Sequence, residues 1–277
     1  MNDLMKAYHH CEAIIKEHSK TFYKAFMLLP KEKKQAVWAV YAFCRQVDDI
    51  VDEGENPKEE LFEFKGMFAA FLNGERPSED PMWIALQDVF NRYEMDVQSF
   101  HDMIVGQEMD LYKKMYFTEE EVLHYSYHVA STVGLMLLPI LAPKKKGELR
   151  EDAIALGQAM QITNILRDIG EDLERERIYI PIEKLERAGY SLDDLNKHIV
   201  NNKFISVWEE MANKAESLYE QAMSSIHLYP MHSRTPVKGS AYLYRAILGS
   251  IRKKGYSVFK TKHYVSTEEK QQIISQM

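Results

Sequence analysis

Apolar residues recur along most of the chain at the three-to-four-residue spacing of amphipathic helices, and no stretch shows the strict alternation of a strand. This spacing predicts helices over residues 4–17, 31–52, 59–72, 82–93, 97–114, 148–172, 204–228 and 238–254. A further long helix is predicted over 119–140, bent or ended by Pro139, and shorter pieces end at Gly189 and cover 192–199. The predicted fold class is all-α.

Turn-forming residues separate these helices. Glycine and proline mark loops at 53–57, 73–81 and 230–236, and residues 142–147 form a basic turn. Pro30 suits the first turn of the helix that follows it, where a missing N–H is tolerated. No change of composition marks a domain boundary, and no repeat of fixed period appears. We therefore predict a single domain over residues 1–277, with a pocket between its helices.

Two of the predicted helices carry carboxylates one turn apart. In the helix over 148–172, one narrow polar stripe contains Gln161, Asn164, Asp168 and Asp172. In the helix over 31–52, the matching stripe contains Tyr41, Arg45, Asp48 and Asp52. Like charges at this spacing repel unless a cation lies between them. Two such helices facing each other would offer four carboxylates and an amide oxygen, which suit Mg²⁺ bound together with substrate phosphates.

Each of these residues also has an ordinary structural explanation when it is taken alone. Paired surface carboxylates are common and contribute little, and Arg45 can simply pair with acidic residues of its own helix. His18 to Thr21 offers an imidazole, two hydroxyls and an ammonium to a phosphate. Ser19 or Thr21 would equally serve as a helix N-cap. Aromatic residues such as Phe22 and Phe26 usually belong to the core, although they could line an apolar tunnel.

Composition and charge narrow the class of protein. The chain is 45% hydrophobic and 28% charged, as in ordinary soluble globular proteins, and its net charge of −7 argues against nucleic-acid binding. Cys11 and Cys44 lie in apolar helical surroundings, so we expect two buried thiols in a reducing compartment. The amino terminus lacks a signal-peptide core, and the nearly uncharged run 125–143 contains polar residues typical of a buried helix. A cytoplasmic location is expected.

Four groups of residues together carry a resemblance to a known family. They are His18-Ser19-Lys20-Thr21-Phe22; Tyr41 to Arg45 with Asp48 to Asp52; Tyr127 with Thr132-Val133-Gly134; and Gln161 to Asp172 followed by Glu176 to Tyr179. In this order and spacing they closely resemble the squalene/phytoene synthase family, over about residues 10–256. Within that family the chain is most similar to the bacterial dehydrosqualene (4,4'-diapophytoene) synthases.

The resemblance implies an all-α class I prenyl synthase bundle, with diphosphates held by metal at one end of a central apolar cavity. It implies that two or three Mg²⁺ ions are held by Asp48, Asp52, Asn164, Asp168 and Asp172. Residues expected to contact the diphosphate or position its chain are His18, Ser19, Lys20, Thr21, Phe22, Arg45, Gln161 and Arg167. The reaction chamber would be lined by Tyr41, Tyr127 and Tyr244, and the catalytic residues would be the four aspartates with Tyr127.

The implied activity is the head-to-head condensation of two farnesyl diphosphates to dehydrosqualene, through presqualene diphosphate, in carotenoid biosynthesis. It would need Mg²⁺ but not NADPH. Diphosphate leaves readily when its charge is neutralised, and the allylic cation that remains needs a dry pocket. Either a tyrosine hydroxyl or the released diphosphate would take the final proton. The rival interpretations are a squalene, hydroxysqualene or phytoene synthase of the same fold, or a non-catalytic helical scaffold, in which carboxylates should have been lost.

The implied product also predicts a partner. A thirty-carbon hydrocarbon does not dissolve in water, so its exit is expected to meet a bilayer or the next enzyme of the pathway through a peripheral contact. The basic turn Lys144 to Lys146 could contact anionic lipid, and a solvated loop is the alternative.

Overall fold

The computed structural model describes residues 2–275, and these form helices joined by short connections. The α-helices are α1 Asp3–His18, α2 Lys20–Phe26, α3 Lys31–Glu53, α4 Pro57–Leu72, α5 Pro81–Arg92, α6 Val97–Tyr112, α7 Glu119–Ser126, α8 Thr132–Leu141, α9 Arg150–Glu174, α10 Ile182–Ala188, α11 Leu192–Asn196, α12 Asn202–Ser224, α13 Met231–Lys253 and α14 Thr267–Ser275. A π-helical turn, Tyr127–Ser131, joins α7 to α8, and a 3₁₀ turn, Ile226–Leu228, follows α12. The described residues contain no strand, only an isolated bridge between Met115 and Ile178. The predicted all-α class is confirmed.

The ends of several helices have caps that can be recognised in the sequence. Ser19 accepts a hydrogen bond from the Phe22 amide at 3.4 Å and so caps α2. Asp80 caps α5 by accepting from the Met82 amide at 2.8 Å. These side chains satisfy amides that have no partner inside the helix. The cap at Ser19 fixes where the chain turns from α1 into α2, beside the acidic helices described below.

The predicted loop at residues 230–236 is wrong, because α13 already begins at Met231 and contains Pro236. The proline removes one helical hydrogen bond. Contacts from other parts of the chain nevertheless hold this segment as a helix. The Ser233 hydroxyl donates to the Leu141 carbonyl at 2.7 Å, and the Arg234 guanidinium donates to two carbonyls of the preceding chain. The start of α13 is therefore fixed against the end of α8.

The helix α9 carries the second acidic motif and is not ideal. Its backbone leaves helical geometry at Asp168, where φ is −104° and ψ is 16°. Two residues later, a Cβ on Gly170 would lie 2.3 Å from the Phe259 carbonyl oxygen, so only glycine fits there. The Gly170 amide donates to the Val258 carbonyl at 3.3 Å. The segment after α13 thus crosses directly over α9 beside its acidic residues, before α14, a helix that the sequence pattern did not predict.

Features predicted to be buried are buried. Cys11 and Cys44 are free thiols in the core, and burial raises the pKa of each to about 12, which keeps both protonated. The core consists of two clusters, one around Phe43 and one around Trp208, and both reach Leu156. The apolar run over 125–143 supplies core residues of α8. Among residues 2–275, none of the helices combines the length and apolarity needed to cross a bilayer.

Candidate active site

A cavity of about 230 Å³ lies between α2, α3, α8, α9 and α13. Its lining is mostly apolar and includes Phe22, Phe26, Val37, Tyr41, Val133, Leu137, Leu141, Leu156, Met160, Tyr229, Val237 and Tyr244. The Phe22 ring stacks on Phe26, with centroids 5.9 Å apart, and on Tyr244, with centroids 5.2 Å apart. The cavity therefore has a continuous aromatic wall along α2. It agrees with the apolar tunnel that Phe22 and Phe26 suggested.

The two ends of the cavity differ in polarity. Gln161 and Asn164 line it on α9, two turns and one turn before Asp168, respectively. Leu141 and Tyr229 line it where the end of α8 meets the start of α13. A prenyl chain would therefore extend from a polar end beside the acidic motifs to an apolar closed end.

Tyr41 and Tyr244 lie between the cavity and the acidic motifs. Burial, reinforced by the nearby Tyr244, raises the pKa of Tyr41. Burial also raises the pKa of Tyr244, which lies near Arg167 and Asp168. Both hydroxyls are therefore neutral donors at the polar end of the cavity, rather than phenolates. The sequence-based expectation that these two tyrosines line the chamber agrees with their positions.

One carboxylate in each of the two acidic motifs has a raised pKa. Burial, together with the charge of Asp52, raises the pKa of Asp48 to about 6. Burial, together with the charge of Asp168, raises the pKa of Asp172 to about 8. The charge of Asp110 on α6 acts in the same direction on both Asp48 and Asp172. Asp110 therefore lies near both acidic motifs, and the convergence of the two stripes on one metal site remains a prediction.

Arginines neutralise part of this charge. Three ion pairs do so: Arg45 with Asp48 at 3.0 Å, Arg177 with Asp52 at 2.8 Å and Arg167 with Asp168 at 2.8 Å. Arg175 also pairs with Asp52. The Asp172 carboxylate has no ion pair of this kind, and burial with the charges of Asp168 and Glu171 raises its pKa.

The donors in this region fit a hard divalent cation. They are carboxylate and amide oxygens, and the Asn164 Oδ1 atom is buried without a hydrogen-bond partner. Desolvation, together with neighbouring carboxylates, raises the pKa of Asp48 and Asp172, and a bound cation would favour their ionised forms. In this conformation, residues 2–275 contain no group of three His, Cys, Asp or Glu side chains able to hold one ion. The metal ligands named above remain a prediction.

Three residues beside the acidic motifs were missed by the sequence reasoning. The buried Asp110 accepts hydrogen bonds from Tyr179 at 2.7 Å and from Tyr125 at 2.8 Å, one on each carboxylate oxygen. One signal was available in the sequence. Asp110 lies on the buried stripe of α6 with Phe100 and Met103, where a carboxylate is unexpected.

Tyr127 is not on the cavity wall, in contrast to the expectation. Its hydroxyl donates to Asp102 on α6 at 3.0 Å, and its ring lies edge-on to His128. A π-helical turn begins at Tyr127 and interrupts the regular helix between α7 and α8. Tyr125, two positions earlier, instead reaches Asp110 beside the acidic motifs. The catalytic role assigned to Tyr127 has no support from this geometry.

The polar segment between α1 and α2 borders the same region. Ser19 caps α2, so the structural interpretation of this residue is correct. The side chains of His18, Lys20 and Thr21 form no hydrogen bond or ion pair with another described residue. The Lys20 ammonium and the His18 ring are exposed, so both can meet an anionic ligand. Their contact with diphosphate remains a prediction.

Comparison with known proteins identifies the family of this chain. The family profile described as squalene/phytoene synthase matches residues 15–269. The chain belongs to the squalene/phytoene synthase family. Members of this family are head-to-head isoprenoid synthases. The fold expected from the resemblance is thereby confirmed.

Squalene/phytoene synthases of more than one specificity are similar to this chain. A 15-cis-phytoene synthase of Synechococcus elongatus is 38% identical, over 96% of this chain and 91% of its own. A 4,4'-diapophytoene synthase of Staphylococcus haemolyticus is 35% identical, over 99% and 96%. A crystal structure of a dehydrosqualene synthase with a ligand superposes with a TM-score of 0.94 at 39% identity, covering 99% of this chain and 95% of that one. These similarities assign the family but leave the length of the prenyl substrate open.

Proposed function

We propose that this protein condenses two farnesyl diphosphates head to head, through presqualene diphosphate, to dehydrosqualene. The observation that carries the proposal is an apolar cavity that runs from the paired acidic motifs to a closed end at Leu141 and Tyr229. Transfer of a hydrocarbon chain from water into such a cavity is favourable, while its diphosphate stays with the polar groups. Similarity to a 4,4'-diapophytoene synthase over the whole chain supports the same substrate.

The diphosphate would be bound at the polar end. Mg²⁺, which supplies charge neutralisation for the leaving diphosphate, would be held by Asp48, Asp52, Asn164, Asp168 and Asp172. Arg45 and Arg167, which lie at this end, would donate hydrogen bonds to phosphate oxygens, and Lys20 would add a positive charge. Both arginines are paired with aspartates, so their side chains are already held in place before substrate arrives.

The cavity wall would protect the carbocation. The rings of Phe22, Tyr41 and Tyr244 present aromatic faces that attract a cation without bonding to it. The raised pKa values of the two tyrosines keep their hydroxyls neutral, so that neither is a strong nucleophile. The apolar lining excludes water, which would otherwise trap the cation as an alcohol.

A phytoene synthase is the second candidate, because a relative with that activity is 38% identical. It would use the twenty-carbon geranylgeranyl diphosphate, whose chain is one isoprene unit longer. Phe26 and Tyr229 occupy the cavity wall where this extra unit would extend. A chain that does not fit should lose about 10- to 200-fold in specificity. We expect kcat/KM to be at least about tenfold higher for farnesyl than for geranylgeranyl diphosphate; equal or reversed values would favour phytoene synthase.

A further inference from the structure

Three segments meet outside the closed end of the cavity. The Lys33 ammonium at the start of α3 donates to the Leu141 carbonyl at 3.3 Å, and the Ser233 hydroxyl at the start of α13 donates to the same oxygen at 2.7 Å. Leu141 itself lines the cavity, as do Tyr229 and Val237. The surface formed by residues 27–34, 141–147 and 229–234, here called the closed-end surface, therefore lies directly over the end that is remote from the acidic motifs.

This surface exposes large apolar side chains. Met231 is 83% exposed and Leu28 is 63% exposed, and Met27 beside it is also exposed. The two segments that carry them are neighbours, because Lys33 and Ser233 donate to the same Leu141 carbonyl oxygen. Single exposed apolar residues are normal, but a group of them beside a ligand cavity is typical of an interaction site.

The closed-end surface is also basic, although the chain as a whole has a net charge of −7. Its three segments contain six lysines and one arginine against a single glutamate, Glu32. Lys145 pairs with Glu148 and Lys146 with Glu94, whereas Lys31 and Lys144 form no ion pair with another described residue. Basic residues that surround exposed apolar side chains match a bilayer with anionic headgroups, where the charges meet the headgroups and the apolar groups enter the interface.

We propose that the closed-end surface docks on an anionic lipid bilayer, with Leu28 and Met231 entering the interface, and that the hydrocarbon product passes from the cavity into that bilayer. The docking follows from charge and exposure alone. The passage of product rests in addition on the proposed function, since only an apolar product needs a route that avoids water. A protein partner would not require this combination of excess positive charge and a small group of exposed apolar side chains.

Vesicle sedimentation tests the contribution of charge. Purified full-length protein is mixed with sucrose-loaded vesicles of phosphatidylcholine alone, or of phosphatidylcholine with a quarter phosphatidylglycerol. The variant Lys144→Glu/Lys145→Glu removes two lysines of the surface. Its matched control is Lys253→Glu/Lys254→Glu at the other end of α13. Each double variant breaks one ion pair of the same length, Lys253 with Glu269 or Lys145 with Glu148, both at 2.7 Å. Both doubles change the net charge equally.

We expect the wild type to pellet with the anionic vesicles and not with the neutral ones. The surface double variant should lose at least about 30-fold in partition coefficient, and the control double variant should behave as the wild type. Leu28→Ser/Met231→Ser should lose about tenfold or more, whereas Phe62→Ser, at a 77% exposed residue on α4, should not. All these variants should retain turnover in detergent.

The outcomes separate the two proposals. If hydrocarbon forms but the wild type does not pellet with anionic vesicles, or pellets equally in the surface variants, the docking proposal is overturned. If the wild type pellets as expected but forms no hydrocarbon from farnesyl diphosphate, docking is upheld and the proposed function is not. Equal binding to neutral and anionic vesicles would also contradict the role given to charge.

Discussion

Replacing Asp172 by Asn should stabilise the metal-free protein and at the same time abolish turnover. The side chain is half-buried near Asp168, Glu171 and Asp110, and desolvation with these charges raises its pKa from the ordinary 3.8 to about 8. The folded state therefore binds a proton more tightly than the unfolded state. Between about pH 4 and pH 8 the unfolded chain has lost this proton while the folded chain retains it, so stability falls as pH rises through this window.

The size of the effect follows from the same shift. Each tenfold change in proton affinity is worth about 1.4 kcal/mol, so the difference between 3.8 and about 8 sets an upper limit of about 6 kcal/mol. Water penetration and movement of Arg177 should reduce this considerably. We expect Asp172→Asn to raise the free energy of unfolding by about 1–3 kcal/mol at pH 8.5, and by clearly less at pH 5.5.

Urea denaturation followed by circular dichroism, in buffer with EDTA, measures this difference. Asp193→Asn, on the exposed helix α11, is the matched control and should show no gain in stability. With Mg²⁺ and farnesyl diphosphate, Asp172→Asn should lose at least about 100-fold in turnover, because the Mg²⁺ that would neutralise the diphosphate loses a carboxylate ligand. If the variant were less stable than the wild type at pH 8.5, or turned over normally, the assignment of Asp172 would be refuted.

Three further substitutions test other parts of the account. Tyr125→Phe removes a hydrogen-bond donor to Asp110 and should lower kcat about 10- to 100-fold in steady-state assays. Tyr127→Phe should change kcat by less than about twofold. The opposite order would support the catalytic role first expected for Tyr127. Tyr229→Ala should enlarge the closed end of the cavity and raise the share of forty-carbon product, measured by mass spectrometry. It should also lower the free energy of unfolding by about 3–5 kcal/mol. An unchanged share of forty-carbon product would mean that the Tyr229 ring does not limit the length of the prenyl chain. Gly170→Ala places a Cβ 2.3 Å from the Phe259 carbonyl oxygen and should lower the free energy of unfolding by about 2–4 kcal/mol in urea, and wild-type stability would contradict the close approach.

The acidic stripes could be predicted because they depend only on regular helical geometry. In α3 the helix is unbroken from Tyr41 to Asp52, so angular counting places the side chains of Tyr41, Arg45, Asp48 and Asp52 on one face. In α9 the backbone leaves helical geometry at Asp168, so angular counting is less exact from that residue to Asp172. The all-α class follows from the same periodicity, repeated along the chain.

The misplaced features depend on tertiary contacts. A proline such as Pro236 usually indicates a loop. Here the chain remains helical because Ser233 is held by a hydrogen bond to the distant Leu141 carbonyl. The π-helical turn at Tyr127 has no clear signal in composition, and the Tyr127 hydroxyl contacts Asp102 instead of lining the cavity. Asp110 matters because tyrosines from two other parts of the chain converge on it, which no local pattern reveals.

The identity of the product decides whether this protein makes dehydrosqualene from farnesyl diphosphate. Purified protein is incubated with farnesyl diphosphate and Mg²⁺, with and without NADPH, and the extracted hydrocarbon is weighed by mass spectrometry. We expect dehydrosqualene in equal amounts under both conditions. Squalene formed only with NADPH, or no hydrocarbon from farnesyl diphosphate at all, would contradict this expectation.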